Sequence, residues 1–335
     1  MRVFTGLMGT ASARSWSFTT RNTVQMLGDI PFVALTLATF LALHGLRKRS
    51  LSPSGAIAAF IVGLSMMAVP LHAFGVSLIT FYLVGSRATK VGKQLKAQLE
   101  EGHQDAGYRN AAQVLCNSFT AFVATLLWTA AYVPDSIVSY LLSGVVTPQR
   151  PYDLSQWCPL IPPVTASLSR PLLFITLGHF ACCLGTPSPR TGHPLALTSH
   201  PHHEPQACAP GTNGGMSATG TLASLAGGLI MGLTLTAALL VESSACRAQW
   251  SSVALPLVAW GTLAGGLGSL LDSLMGATIQ RTLYSTTTKR ILTDESSAPS
   301  PGAEVKRVSG WDILSNNQVN LFSSIITACA VGALA

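Results

Sequence analysis

Residues 216–241 read MSATGTLASLAGGLIMGLTLTAALLV, a run with no Asp, Glu, Lys or Arg. A helix of about 20 residues crosses the roughly 30 Å hydrocarbon core of a bilayer, and this run exceeds that length. Its apolar residues do not alternate, so it is not a barrel strand. Inside a membrane a backbone must satisfy its own hydrogen bonds, which leaves a helix.

Other stretches repeat the pattern. Residues 110–134, 248–271 and 313–335 are equally free of charge. Residues 50–86 are long enough for two passes, with a break near Pro70. Residues 30–46 are shorter and extend backwards through Asp29. Residues 171–184 are shorter still and borrow length from residues 160–169 across Arg170. The whole chain has 335 residues, of which 48% are hydrophobic and only 10% charged. Soluble domains carry about a quarter charged residues. The expectation is an all-α polytopic transmembrane helix bundle of about eight spans, covering residues 30–335. Residues 1–29, with Arg2, Arg14 and Arg21, are expected to be a basic N-terminal tail. The localisation expected is integral membrane and multi-pass, with the lipid bilayer as partner and no nucleic acid.

Basic residues in short loops mark the cytoplasmic side. The first loop carries Arg47, Lys48 and Arg49, the third Arg87, Lys90, Lys93, Lys96 and Arg109, and the seventh Arg281, Lys289, Arg290, Lys306 and Arg307. The fourth and sixth hold only Arg150, Arg170 and Arg247. The odd loops are therefore expected to face the cytoplasm, and they supply most of the net charge of +7. Cys158 and Cys246 fall in even loops on the other side, where a disulfide or two free thiols are both open. No wider disulfide framework is indicated.

The unusual polar motifs lie in or beside odd loops. Arg87, Lys90 and Lys93 sit three apart, so on a helix they share a face. They either clamp phosphate oxygens or form an ordinary basic flank. Asn110, Gln113 and Asn117, headed by Arg109, make one helical stripe, read as a site or as glue between helices. Gly211-Thr212-Asn213-Gly214-Gly215 is a turn that also exposes backbone N–H groups as the next helix starts. Asp272 ends an apolar helix, in a stripe with Ser269, Gly276 and Gln280 and next to Ser273. An ionisable group at membrane depth is costly and points to function. Its hard oxygens suit Mg²⁺ on a nucleotide. Asn317, Asn320 and Ser324 open the last span with another inward stripe, while Ser315 or Asn316 serves as a helix cap. Gly261 and Gly265 read as helix packing. His193, His200, His202, His203 and Cys208 do not match a tetrahedral zinc pattern, and no zinc is expected.

Taken in order, GSRATK, YRNAAQVLCN, GTNGG, GSLLDSLMGATIQ and NNQVNLFSS resemble the transmembrane protein 19 family. That multi-pass family includes plant phytyl-phosphate kinase. The resemblance covers roughly residues 41–324, and Ser50, Leu51, Ser54, Gly55 and Ala56 also fit it. It implies a kinase-like phosphotransferase acting at the cytoplasmic face on a long-chain prenyl phosphate. Mg²⁺ and a nucleoside triphosphate would be its cofactors. Asp272 would be the catalytic, metal-positioning carboxylate. Arg87, Lys90, Lys93 and Arg109, with the glycine-rich turn, would hold phosphates. A non-catalytic carrier or scaffold binding anionic lipid is the alternative.

The chain departs from the family pattern at one place. Where the family has Asp-Thr-Trp-Ala-Ser-Glu, Gly185 is followed by Thr186-Pro187-Ser188-Pro189-Arg190. Codons for Gly185 to Arg190, read one base earlier, can spell Gly-Asp-Thr-Phe-Ala-Ser. Residues 186–209 are therefore read as an out-of-frame or mis-spliced segment. The loop 186–210 is expected to be irregular, with intact helices on either side.

Overall fold

The computed structural model describes residues 31–89, 100–101, 108–153, 156–185, 213–288, 290–292 and 304–335. The chain divides into Met1–Phe32 and Val33–Ala335. Only residues 31 and 32 of the first unit are described, so the tail reading lies outside the described residues, as does the loop 186–210.

The elements in order are α1 (Phe32–Arg47), α2 (Pro53–Met67), α3 (Ala73–Ala88), β1 (Glu100–Glu101), α4 (Ala111–Cys116), α5 (Phe119–Tyr132) and α6 (Ile137–Leu141). Then follow α7 (Ser169–Gly185), α8 (Ala218–Glu242), α9 (Ser244–Ala248), α10 (Trp250–Thr278), β2 (Thr282–Ser285), β3 (Arg290–Leu292), β4 (Val305–Ser309) and α11 (Asn316–Leu334). Each charge-free segment read from the sequence contains at least one apolar helix. Among the described residues α8, α10 and α11 are long and apolar enough to cross a membrane, while α1, α2, α3, α5 and α7 are shorter apolar helices. The helices flanking the loop 186–210, α7 and α8, are both formed.

The shortest of the sequence segments forms the centre. α7 is buried around most of its circumference: Leu172, Leu173, Phe174, Leu177, Phe180 and Ala181 are buried, and so are the polar Ser169, Thr176 and His179. A mostly apolar helix buried on most sides belongs in an interior. Here α3, α5, α8, α10 and α11 enclose it.

The closest helix pair is α8 with α10. A Cβ added to Gly228 would lie 2.1 Å from the Gly261 carbonyl oxygen, and one on Gly265 would lie 2.3 Å from that of Ser224. Glycine lets two backbones touch where side chains would hold them apart. The Gly261 and Gly265 pair is thus a packing seam, matched by Gly228 and Gly232 across it.

Two expectations need correction. Residues 110–134 are not one helix: the chain breaks between α4 and α5 at Asn117 and Ser118. The Asn117 amide donates to the Gln113 carbonyl at 2.8 Å, and the Ser118 hydroxyl to that of Val114 at 2.8 Å. Side chains that bond the local backbone in this way compete with helix continuation. Nor is the fold purely helical. A four-stranded sheet runs in the order β1-β3-β2-β4. β2 pairs antiparallel with both β3 and β4, and β1 pairs parallel with β3, Glu100 opposite Ile291. The seventh loop is long and polar enough to leave the bilayer, where strand pairing satisfies its backbone. The sheet ties the third loop to the seventh.

At the opposite end of the bundle Cys158 and Cys246 are disulfide-bonded. Trp128, Tyr132, Tyr152 and Trp157 pack mutually beside them, mostly edge to face. The indole N–H groups of Trp128 and Trp157 both donate to Ser169 Oγ, at 2.8 and 3.2 Å. Glu242 closes the same end, accepting from the His72 backbone N–H at 3.0 Å and from the Tyr152 hydroxyl at 3.2 Å. Burial first, then the Glu242 charge, pushes the Tyr152 phenol above its ordinary range, so it stays a donor. Cys158→Ser is expected to cost about 2–5 kcal/mol, the usual loss for a native disulfide. Thermal unfolding of the variant, alongside the reduced and oxidised parent, measures it. A variant as stable as the oxidised parent would refute the assignment.

Candidate functional site

The end of the bundle away from the disulfide gathers the polar motifs. Asn213, Gly214 and Gly215 form a turn packed onto the end of α10. Gly214 has φ +79°, and a Cβ there would lie 2.4 Å from that of Ala277. Both the conformation and the space require glycine. The Asn213 N–H donates to Thr282 Oγ1 at 3.3 Å, and its amide to the Arg281 carbonyl at 3.3 Å. Ser309 Oγ donates to the same Thr282 hydroxyl at 3.0 Å, joining turn and sheet. Ser217 then caps α8, accepting from the Gly220 N–H at 3.1 Å. Gly211 and Thr212 lie outside the described residues.

Asp272 is 6% exposed, on the side of α10 that meets α7 and α11. Ser323 Oγ of α11 donates to Asp272 Oδ1 at 3.3 Å. Cys182 of α7 lies against Gly268, one turn before Asp272. Three helices therefore meet at this carboxylate. Gln280 and Ser273 are buried, and Ser269 is half-buried. Ser269 and Ser273 turn towards α8, where they line a cavity of about 280 Å³ with Gly215, Ser217 and Thr221.

The stripe on α11 is deeper than the sequence reading had it. Asn317 and Asn320 are half-buried, whereas Ser323, Ser324 and Thr327 are buried. Ser315 caps the helix, with Gln318 closing a reciprocal pair. Ser323 was missed: it sits beside Ser324, and a helical period of 3.6 does not decide between positions three and four residues on.

A second cluster forms around Arg109. Its N–H donates to the Ser50 carbonyl at 3.1 Å, and its own carbonyl accepts from the Ser52 N–H at 2.9 Å. Its guanidinium reaches Ser86 Oγ at 3.5 Å. The hydroxyls of Ser50 and Tyr82 are 3.4 Å apart. Burial lowers the Arg109 pKa from its ordinary value, and Tyr82 partly opposes this. Asn110 and Gln113 form a capping box at the start of α4, which gives both side chains a structural task. Asn117 sits at the break after α4. Arg87 is exposed at the end of α3, and Lys90 and Lys93 lie outside the described residues. So does the histidine group around His202. α4 packs against α11, so the Arg109 and Asp272 clusters stand on adjacent elements. Ser50, Ser52 and Tyr82 carried no polar-stripe signal, because their contacts come from chain crossing rather than helical spacing.

Gly55 shapes this cluster. A Cβ on it would lie 2.1 Å from the Arg109 carbonyl oxygen. Gly55→Ala is expected to cost about 1–3 kcal/mol, typical of forced overpacking. Gly144→Ala, with nothing within 4 Å of its Cβ, is the control. Thermal unfolding compares the two, and equal stability would count against the Gly55–Arg109 contact.

Fold and site together define a polytopic helical membrane protein with a buried carboxylate and clustered basic residues at one end. The chain belongs to the integral membrane protein DUF92 family, whose model matches residues 36–328. It is 31% identical over 302 residues to "Protein PGR" of Arabidopsis thaliana, covering 88% of this chain and 92% of that relative. This agrees with the resemblance to the transmembrane protein 19 family. No solved structure matches.

Proposed function

We propose that this protein is a phosphotransferase of the prenyl-phosphate kinase kind, acting at the cytoplasmic face, with all eight apolar helices crossing the bilayer. The observation that carries the reading is Asp272, a carboxylate buried where three helices meet. Such a placement is expensive in a membrane helix and is kept where it is used.

Topology supports it. The basic loops lie at the Asp272 end, and disulfides such as Cys158–Cys246 belong to oxidising compartments across the membrane. The shorter helices span by using their flanking residues and by local thinning of the bilayer.

Among the described residues no three metal-ligating side chains cluster, so an ion here would be Mg²⁺ held largely by substrate phosphates. That ion is held by one or two carboxylates with substrate phosphates, and Asp272 beside the Ser323 hydroxyl offers hard oxygens. When bound, it would neutralise charge on the nucleotide phosphates. Arg109 and Arg87, with Lys90 and Lys93, would offset the remaining phosphate charge. The turn from Gly211 to Gly215 would donate backbone N–H groups at the start of α8. An oxygen of the prenyl phosphate would attack the terminal phosphorus of the nucleoside triphosphate. The bond to the bridging oxygen breaks, leaving prenyl diphosphate and nucleoside diphosphate. The attacking oxygen is already anionic, so the step needs positioning and charge stabilisation rather than a general base.

Purified protein in lipid nanodiscs, given labelled nucleoside triphosphate and prenyl monophosphates, should form labelled prenyl diphosphate. A second reading is a non-catalytic carrier or scaffold for anionic lipid. The stretch Thr186-Pro187-Ser188-Pro189-Arg190, which stands where the family acids would be, favours it. Absence of turnover even after the acidic segment is restored would select the carrier or scaffold.

A further inference from the structure

We propose that the cavity between α8 and α10 is a lateral lipid site that admits one chain from the bilayer and holds its phosphate headgroup at the end lined by Ser217, Ser269 and Ser273. The headgroup assignment rests on the phosphotransferase reading; the cavity and its opening do not.

The argument starts from the walls. Leu263, Leu267 and Leu270 line the cavity and are also exposed on the outer surface of α10, Leu267 by 59%. α10 is one of the membrane-length helices, so that surface faces lipid. An opening rimmed by exposed leucines on such a helix is an entry for a hydrocarbon chain rather than for a soluble metabolite. Gly220 and Gly266 line the walls and keep the space open.

The polar groups collect at the other end. Gly215, Ser217, Thr221, Ser269 and Ser273 all border the cavity. Among the described residues no side-chain hydrogen bond occupies the hydroxyls of Thr221, Ser269 or Ser273. These donors stand ready for a ligand. Ser217 caps a 25-residue helix whose positive end faces the same region. Leu263 lies ten residues before Ser273, about 15 Å along the helix, with Leu267 between them and Leu270 among the serines. The site is therefore amphipathic, with its polar end at Ser217, Thr221, Ser269 and Ser273.

Size sets the occupant. A volume of about 280 Å³ is at the lower edge of the roughly 300–1,000 Å³ range of small-molecule pockets. It suits one slender chain with a small headgroup and excludes a two-chain phospholipid. Gly266 controls access to it. A Cβ there would meet the movable end of Leu225, at 2.8 Å, so a larger side chain fits only by filling the cavity.

The test uses the full-length protein in phosphatidylcholine nanodiscs with a diazirine-bearing farnesyl monophosphate. Cross-links should map to residues 217–225 and 263–273. Unlabelled farnesyl monophosphate should compete, and dioleoyl phosphatidic acid should not. Gly266→Leu should reduce labelling at least tenfold. If that variant does not fold, the Ser269→Ala/Ser273→Ala double variant should weaken labelling several-fold. Labelling mapped elsewhere, labelling unchanged in a folded Gly266→Leu variant, or equal competition by phosphatidic acid would overturn the proposal. Labelling here without phosphoryl transfer would support the pocket and count against the kinase. Transfer without labelling here would do the reverse.

Discussion

Gly228→Ala should lose about 3 kcal/mol or more of stability, and Gly228→Leu should not accumulate as folded protein. The added methyl would sit 2.1 Å from the Gly261 carbonyl oxygen, and backbone cannot step aside as a side-chain tip can. Overpacking in a tight core costs about 1–3 kcal/mol and sometimes more. Separating α8 from α10 would also disturb Gly232, where an added Cβ would lie 2.5 Å from the Leu257 carbonyl oxygen, so the whole seam opens together. Gly63→Ala is the comparison, since its Cβ would make ordinary contacts with Met67 Cε at 3.4 Å and Ala38 Cβ at 3.8 Å. Thermal unfolding of the detergent-solubilised variants, followed by size-exclusion chromatography, decides the matter. A Gly228→Ala protein as stable as Gly63→Ala would show that the two backbones are not in contact.

Asp272→Asn should lower phosphoryl transfer by about 10²–10³-fold, the scale on which a single preorganised charge-stabilising group acts. The amide oxygen still accepts from Ser323, so the local structure holds. Stability should stay level or rise, because the variant no longer buries a carboxylate away from water. Lost activity with undiminished stability separates a working residue from a packing one. Ser323→Ala should have a smaller effect, about tenfold, as a group that orients the carboxylate. Turnover that survives Asp272→Asn would remove Asp272 from the mechanism.

The helices were legible because charge-free runs are long and contiguous, and a bilayer leaves them one conformation. Their interruption at Asn117 and Ser118 was not, because hydropathy does not register a side chain bonding its own backbone. The central place of α7 was hidden by its shortness and by Arg170 at its start. Its lack of any charge beyond Arg170 was the available sign. The sheet escaped notice because its strands are two to five residues long. β1 also finds its partner far along the chain. At the site, Asp272 stood out as an acid at the end of an apolar run. Its partner Ser323 did not, since hydroxyls are common in membrane helices. The Arg109 cluster was half legible: the arginine by its charge, and Ser50, Ser52 and Tyr82 only through the crossing of α2, α3 and the segment before α4.

The pairing of Glu100 with Ile291 also sets an order for biogenesis. Strand β1 leaves the ribosome long before β3, and α4 to α10 must be made and inserted between them. At roughly 5–20 residues per second the wait is on the order of ten to forty seconds. During that time the edge of β1 has no partner from its own chain. The connector after α10 thus closes a structure that the connector after α3 has held open, and the sheet end of the bundle is completed only after most of the helices have been made.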